Sequence, residues 1–332
     1  MKKIKKYALG VVVTTILFIA YLIIDLLLFD GVKSRQINEN GLIGNYFAKE
    51  VTKPNTAIIL VGGGEWGDYW AEEFAKKDLV GLSLPYALVQ GLPKRPEEIN
   101  LEYFANAIKW LAKQKEVDSK RIVVMGASRN AELSLLIASV FPELVGGVIA
   151  YAPSSVTWSN TVLPYNSEEL KPSWKYQGVA IPFVPMQKII GENSNKIVTI
   201  DYWKSGLAKT EYVAKAAIKV EDIKGPILLF SGKDDLVWPS ALMADMIEQR
   251  LQENDFQYSF QNIQYEAAGH LISTNPDANS VLRTGIMIVD GKEYMFEYGG
   301  TKDGDWKAKK DAQRRLYEFL KKIPPKIPYN LK

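Results

Sequence analysis

Residues 121–140, which read RIVVMGASRNAELSLLIASV, decide the fold. The first five are mostly apolar and β-branched, as in a buried strand, and from Leu133 onwards apolar residues recur with helical spacing. Gly126, Ala127 and Ser128 lie between these two segments. A strand that passes directly into a helix through such a turn lifts its serine above the sheet, at the helix N-terminus. The pattern therefore predicts that Ser128 is a nucleophile.

One residue of this turn departs from the usual pattern. The position two residues after the serine is normally glycine, because it faces a neighbouring strand at close range, and here it is Asn130. Asparagine tolerates unusual backbone angles better than most residues do. We keep the nucleophile prediction, and Asn130 is the one feature of the sequence that favours a protein that binds without catalysis.

Strand-like and helix-like segments alternate along most of the chain. Continuous apolar runs indicate buried strands, and amphipathic spacing indicates helices. The predicted strands are 57–61, 79–84, 121–125, 145–150, 227–230 and 258–265, and the predicted helices are 70–77, 101–115, 133–140 and 311–321. This alternation predicts an α/β fold, a mostly parallel sheet flanked by helices with right-handed crossovers.

The chain has a single histidine, His270, so one side chain has an ordinary pKa suited to acid–base chemistry near neutral pH. It follows a predicted strand, and so does the pair Asp234-Asp235. Serine, aspartate and histidine therefore occur in the chain order of an α/β-hydrolase triad. We predict Ser128 as the nucleophile, His270 as the general base and Asp235 as the acid that orients the imidazole, with Asp234 as the alternative acid.

A glycine-rich loop follows the first predicted strand. Backbone N–H groups aimed at the developing negative charge form an oxyanion hole in acyl-transfer enzymes. Arg129, directly after the nucleophile, would supply one N–H group, and Gly63 would supply the other, with Gly64 as the alternative. Such a loop can also hold a phosphate group, but the sequence lacks the G-K-[ST] pattern of a phosphate loop.

The composition excludes several classes of function. The 332 residues include no cysteine, which rules out disulfides and thiolate chemistry, and a single histidine disfavours the usual catalytic zinc site. We therefore expect neither a metal nor a cofactor. The net charge of +3 is small and no basic cluster is interleaved with aromatic residues, so nucleic-acid binding is not expected.

The N-terminal segment predicts a membrane anchor. A basic run, Met1 to Lys6, precedes a nearly continuous apolar stretch from Tyr7 to Phe29, which is long enough to cross a bilayer. A cleavable signal peptide is the alternative, but its apolar core is shorter and ends in a small-x-small site. We therefore predict an uncleaved, single-pass anchor over residues 1–30. The lysines place the N-terminus in the cytoplasm and the globular domain outside it.

Two further regions follow the anchor, and the second contains an insertion. Residues 31–54 are predicted to be a linker with one short strand near Asn45–Phe47, and residues 55–325 to be the catalytic domain. Prolines and aromatic residues, including Trp158, Pro164, Tyr165 and Trp203, interrupt the alternation at about 155–222. We interpret that insertion as a cap over the catalytic face. The alternative is a surface excursion whose aromatic residues form a small core of their own.

Seven motifs together resemble a known family. They are NLEYF at 100–104, GASRNAEL at 126–133, YAPSSV at 151–156, IKGP at 223–226, SGKDDLVWPS at 231–240, AGH at 268–270 and YGGT at 298–301. Their sequence and order resemble the C-terminal catalytic domain of the acyl-CoA thioesterase / bile acid-CoA:amino acid N-acyltransferase family, an α/β-hydrolase family. The resemblance implies Ser128, Asp235 and His270 as the triad. It also implies acyl transfer from a thioester or ester to water or an amine.

The sequence therefore predicts a membrane-anchored serine hydrolase with an α/β-hydrolase fold, acting on a small-molecule acyl ester or thioester. Within the resembling family, a serine nucleophile in place of cysteine favours hydrolysis. The alternatives are an acyltransferase with an amine or alcohol acceptor, and an α/β-hydrolase-like protein that binds without catalysis.

Overall fold

The computed structural model describes residues 2–50, 53–162, 167–189, 194–276 and 282–326. The strands are β1 (Lys33–Glu39), β2 (Leu42–Ala48), β3 (Asn55–Val61), β4 (Val80–Leu84), β5 (Ile99–Asn100), β6 (Val117–Ala127), β7 (Gly147–Tyr151), β8 (Trp174–Tyr176), β9 (Val179–Ala180), β10 (Ile227–Gly232), β11 (Phe260–Tyr265), β12 (Thr284–Val289) and β13 (Lys292–Glu297). The α-helices are α1 (Lys2–Phe29), α2 (Gly64–Lys76), α3 (Glu102–Leu111), α4 (Arg129–Val140), α5 (Thr199–Leu207), α6 (Thr210–Ala216), α7 (Ser240–Glu253) and α8 (Lys302–Lys321).

An eight-stranded sheet forms the centre of the domain, in the order β1-β2-β4-β3-β6-β7-β10-β11. From β4 to β11 each strand runs parallel to its neighbours. β2 pairs antiparallel with β4, and β1 pairs antiparallel with β2. The predicted α/β fold with a mostly parallel sheet is therefore confirmed.

Helices cover both faces of this sheet. In β3 the side chains of Ile59 and Val61 contribute to one core and those of Ile58 and Leu60 to the other, because successive residues of a strand point to opposite faces. The first core also contains residues of α3, α4 and α7, and the second contains residues of α2 and α8. Burial on both faces explains why the central strands are continuous apolar runs.

Residues 33–48 of the predicted linker form the β1–β2 hairpin at the edge of the main sheet, and the short strand predicted near Asn45–Phe47 is part of β2. Asn40 and Gly41 make its turn, both with positive φ, 52° and 77°. An Asn-Gly pair is the preferred sequence for the tight turn of a hairpin, because both residues tolerate that conformation. The Asn-Gly pair is visible in the sequence. The hairpin extends the globular domain to the N-terminal side of residue 55.

The first helix, α1, covers the predicted anchor and exposes large apolar side chains, among them Leu9, Leu17 and Ile24. Within the part of the chain that the structure describes, no helix is both long enough and apolar enough to cross a membrane. The predicted transmembrane anchor therefore has no structural support.

The insertion at about 155–222 contains β8, β9, α5, α6 and a short 3-10 helix, Val220–Asp222. Its tryptophans Trp158 and Trp203 stack edge to face and join Trp238 and Met243, which come from the chain after β10. The insertion is thus packed onto the main domain instead of enclosing only a core of its own. Pro164 and Tyr165 lie outside the described residues.

Two features near the C-terminus were not predicted. β12 and β13 form a separate antiparallel hairpin. α8 begins at Lys302, well before the predicted start at residue 311, and Thr301 caps it by accepting a hydrogen bond from the N–H group of Gly304 at 3.0 Å. The turns of α8 that precede residue 311 approach the loop that carries His270, as described below.

Candidate active site

Ser128 occupies the sharp turn between β6 and α4. Its backbone lies at φ 57° and ψ −124°, a conformation that is costly for a residue with a side chain and that occurs at functional turns. Gly126 makes the turn possible, because a Cβ atom there would lie 2.6 Å from the Ser134 hydroxyl and closer still to the Asn130 carbonyl oxygen. The backbone N–H of Ser128 donates to the Tyr151 carbonyl at 2.9 Å. The strand–turn–helix geometry predicted for Ser128 is present.

Asp235 lies in the loop that follows β10 and is almost fully buried, with 3% of its surface exposed. Its Oδ1 atom accepts hydrogen bonds from the backbone N–H groups of Val237 and Trp238, at 2.9 and 3.2 Å. Its Oδ2 atom accepts one from the Ser240 hydroxyl at 2.7 Å. Asp234 is exposed instead. The geometry therefore distinguishes the two aspartates that the sequence left open.

His270 connects the aspartate to the serine. Its Nδ1 atom lies 2.8 Å from Asp235 Oδ2, and its Nε2 atom lies 3.0 Å from Ser128 Oγ. The Trp238 ring lies nearly perpendicular to the imidazole, with 6.0 Å between the ring centroids. Serine, histidine and aspartate come from the ends of β6, β11 and β10, which meet at one edge of the parallel sheet.

Residues 298–305 hold the histidine loop in place. The backbone N–H of His270 donates to the Tyr298 carbonyl at 2.9 Å, and the N–H of Gly269 donates to Asp305 Oδ1 at 2.7 Å. Asp305 is buried and pairs with Arg283, which also donates to the Gly299 carbonyl at 2.6 Å. Asp305 lies on the unpredicted first part of α8, so this support for the histidine loop was not predicted.

The glycine loop lies between β3 and α2. The Gly63 N–H, our preferred oxyanion donor, already donates to the Leu60 carbonyl within the turn, at 3.2 Å. Gly64 is the first residue of α2, where a backbone N–H has no partner inside the helix. The geometry therefore favours the alternative, Gly64, over Gly63. Arg129 is likewise the first residue of α4, so its N–H fits the same description.

A buried ion pair next to the nucleophile was missed by the sequence reasoning. Glu132 is fully buried on α4 and accepts hydrogen bonds from the Arg129 guanidinium, from Trp174 Nε1 at 2.8 Å and from the Trp158 N–H at 3.2 Å. Arg129 also donates to the Ser173 hydroxyl at 2.7 Å. Burial raises the pKa of Glu132 to about 6, although the Arg129 charge opposes that shift. The i, i+3 spacing is readable from the sequence, but the burial is not.

The fold and the strand-end Ser–His–Asp arrangement define an α/β-hydrolase. Solved structures agree on the fold: an acylaminoacyl peptidase from Pyrococcus horikoshii superposes with a TM-score of 0.55 at 15% identity, over 93% of this chain and 45% of the other. A dienelactone hydrolase-like promiscuous phosphotriesterase from metagenomic libraries gives a TM-score of 0.51 at 11% identity, over 88% and 99%.

Within that class, residues 99–324 match the family described as BAAT / Acyl-CoA thioester hydrolase C terminal, and the chain belongs to this family. Acyl-coenzyme A thioesterase 1 of Mus musculus is 29% identical, over 88% of this chain and 65% of its own length. Acyl-coenzyme A amino acid N-acyltransferase 2 of the same species is 26% identical, over 88% and 66%. The chain thus matches just under two thirds of the length of these relatives. The resemblance inferred from the motifs is confirmed.

Proposed function

We propose that the protein is a serine hydrolase that cleaves acyl thioesters or esters through a covalent acyl-enzyme on Ser128. The observation that carries this proposal is the continuous hydrogen-bonded chain from Ser128 Oγ through His270 to the buried Asp235. A nucleophile in contact with a base, and a base oriented by a third group, is the arrangement that activates a hydroxyl group. Membership of a family with thioesterase members supports the choice of acyl substrate.

The reaction would proceed in two balanced halves. Ser128 Oγ attacks the acyl carbonyl carbon while His270 Nε2 accepts the hydroxyl proton, and the N–H groups of Arg129 and Gly64 stabilise the oxyanion. The carbon–sulfur or carbon–oxygen bond then breaks, and the imidazolium returns its proton to the leaving group. A water molecule repeats the attack on the acyl-enzyme with His270 as base. The bond between the acyl carbon and Ser128 Oγ then breaks, and the imidazolium returns its proton to that oxygen. The products are a carboxylic acid, the thiol or alcohol released in the first half, and free Ser128.

Acyl transfer to an amine is the second candidate, because one of the similar proteins is an N-acyltransferase that uses amino acids. The two reactions share the acyl-enzyme and differ only in the acceptor. Supplying an amino acid together with a thioester substrate distinguishes them. Formation of an amide at the expense of the free acid would favour transfer, and an unchanged yield of acid would favour hydrolysis.

Substitution of Ser128 tests the proposal directly. We expect Ser128→Ala to reduce kcat/KM for acyl-CoA, acyl-pantetheine and p-nitrophenyl ester substrates by at least about 1000-fold, since it removes the nucleophile. Ser139→Ala, on the same helix and with its hydroxyl donating to the Leu136 carbonyl, is the matched control and should leave the rate unchanged. A fluorophosphonate probe should label wild-type protein and not Ser128→Ala. Absence of both labelling and turnover in the wild type would favour the binding-only alternative.

Location at a membrane, with the catalytic domain on the outer side, is a separate proposal. It is supported by the basic run before the apolar segment and by the exposed apolar side chains of α1. Full-length protein should sediment with membranes of a bacterial host and resist carbonate extraction, whereas protein without residues 1–30 should not. Recovery of both forms in the supernatant would contradict it.

A further inference from the structure

The Asn130 side chain lies against the glycine loop that we assign to the oxyanion hole. A Cβ atom built on Gly62 would lie 2.6 Å from Asn130 Cγ and 2.9 Å from its Oδ1, with Nδ2 closer still. The amide group therefore occupies the space directly beside the Gly62 backbone. Asn130 is the residue that departs from the usual pattern of the turn around Ser128. Its side chain contacts the glycine loop on the opposite side of the candidate oxyanion hole.

The glycine loop needs contacts to hold its shape. Gly62, Gly63 and Gly64 have φ values of 98°, 58° and 67°, a run of left-handed conformations that only glycine adopts easily. Because glycine is so flexible, ordering three consecutive glycines costs a large conformational entropy. The backbone bonds Gly62 N–H to Leu84 and Gly63 N–H to Leu60 restrain part of the loop. The Asn130 side chain lies against the loop from the side of Ser128.

Tyr86 fixes the orientation of that amide. Its hydroxyl donates to Asn130 Oδ1 at 2.9 Å, so the Nδ2 end of the amide is turned toward Gly62. The Tyr86 ring is 5% exposed and packs edge to face against Phe104 and Trp174, at 5.7 and 5.5 Å. A ring held on two sides in the core provides a rigid point of attachment for the amide.

We propose that Asn130, oriented by Tyr86, is a positioning residue that holds the Gly62–Gly64 loop in the conformation required to bind the oxyanion. The inference rests on the proposed function, because an oxyanion forms there only if Ser128 attacks an acyl group. Among the described residues, no hydrogen bond joins the Asn130 amide to Ser128 or His270. The effect of Asn130 on catalysis runs through the loop.

The test compares Asn130→Ala, Tyr86→Phe and the double variant with wild type. Tyr46→Phe is the matched control, because Tyr46 is equally buried and its hydroxyl is also 2.9 Å from its partner, the distant Glu116. Two quantities are measured for each protein: deuterium uptake by the peptide that covers residues 60–67, and kcat and KM separately with one ester. Thermal unfolding confirms that each variant is folded.

We expect both single variants to increase deuterium uptake in residues 60–67 and to lower kcat by roughly 10- to 100-fold, as for a misplaced catalytic group. KM should change by less than about threefold, since the loop acts on the oxyanion and not on the bound ground state. The double variant should be no slower than Asn130→Ala, because the two residues act as a unit. Tyr46→Phe should change neither uptake by this peptide nor kcat.

Unchanged uptake in Asn130→Ala would overturn the inference, and so would faster uptake with an unchanged kcat or multiplicative effects in the double variant. These outcomes leave the proposed function intact as long as Ser128→Ala is inactive. If wild-type protein turns over no ester or thioester, the proposed function fails, and the uptake measurement alone decides whether Asn130 holds the loop.

Discussion

Two buried carboxylates lie close to the nucleophile in different surroundings. Asp235 bonds to the His270 imidazole, a ring that can accept and release a proton at neutral pH. Glu132, one turn along α4 from Ser128, bonds to the fixed charge of Arg129 and to the indole of Trp174. Neither of these donors can carry a proton to and from a substrate. Under the proposed function, the partner of each buried carboxylate, and not its burial, separates the catalytic role of Asp235 from the structural role of Glu132.

The largest effect should come from Asp235. Asp235→Asn should lower kcat by up to about 10,000-fold, because an amide cannot hold the imidazole in the tautomer that accepts the serine proton. The matched control is Asp234→Asn at the neighbouring, exposed position, for which kcat should stay within about twofold of wild type. Steady-state kinetics on one ester measure both. A larger loss in the Asp234 variant would reverse the assignment of the acid.

The contacts among Ser128, His270 and Asp235 were predictable from the sequence. Ser128 and Asp235 each follow a buried, largely apolar strand, and His270 follows a half-buried strand that contains more polar residues. Their chain order was therefore informative. Gly63 was a less secure prediction, because no pattern shows that its N–H is used by the Leu60 carbonyl.

The burial and the contacts of Glu132 were not predictable from the sequence. Glu132 resembles an ordinary exposed helix residue in sequence, and its burial depends on Trp158 and Trp174, which come from the insertion and are distant along the chain. Contacts between segments so far apart carry no local periodicity. The support that Asp305 gives to the histidine loop was missed for a second reason. Asp305 lies before the predicted start of its helix.

A smaller effect, on stability, should follow loss of the Arg129 charge. Arg129→Met leaves Glu132 buried without its counter-charge and should lower the free energy of unfolding by roughly 3–5 kcal/mol. The matched control is Arg314→Met. Arg314 forms ion pairs with Asp311 and Glu318, and its side chain is 53% exposed. This change should therefore lower the free energy of unfolding by at most about 1 kcal/mol. Urea unfolding measures both. If the folded Arg129 variant lost as much kcat as Asp235→Asn, the distinction between the two carboxylates would be wrong.

The smallest effect concerns the pH dependence of stability. Burial raises the pKa of Glu132 from 4.5 to about 6, so between these values the native state binds a proton more readily than the unfolded chain does. The contribution of Glu132 to the free energy of unfolding therefore falls as the pH rises through this window, by roughly 2 kcal/mol at most. Glu132→Gln removes the ionisation, so its stability relative to wild type should increase from pH 4.5 to pH 6 and change little above. Urea unfolding of both proteins at several pH values checks this, and a constant difference would show that Glu132 ionises in the folded protein as it does in the unfolded chain.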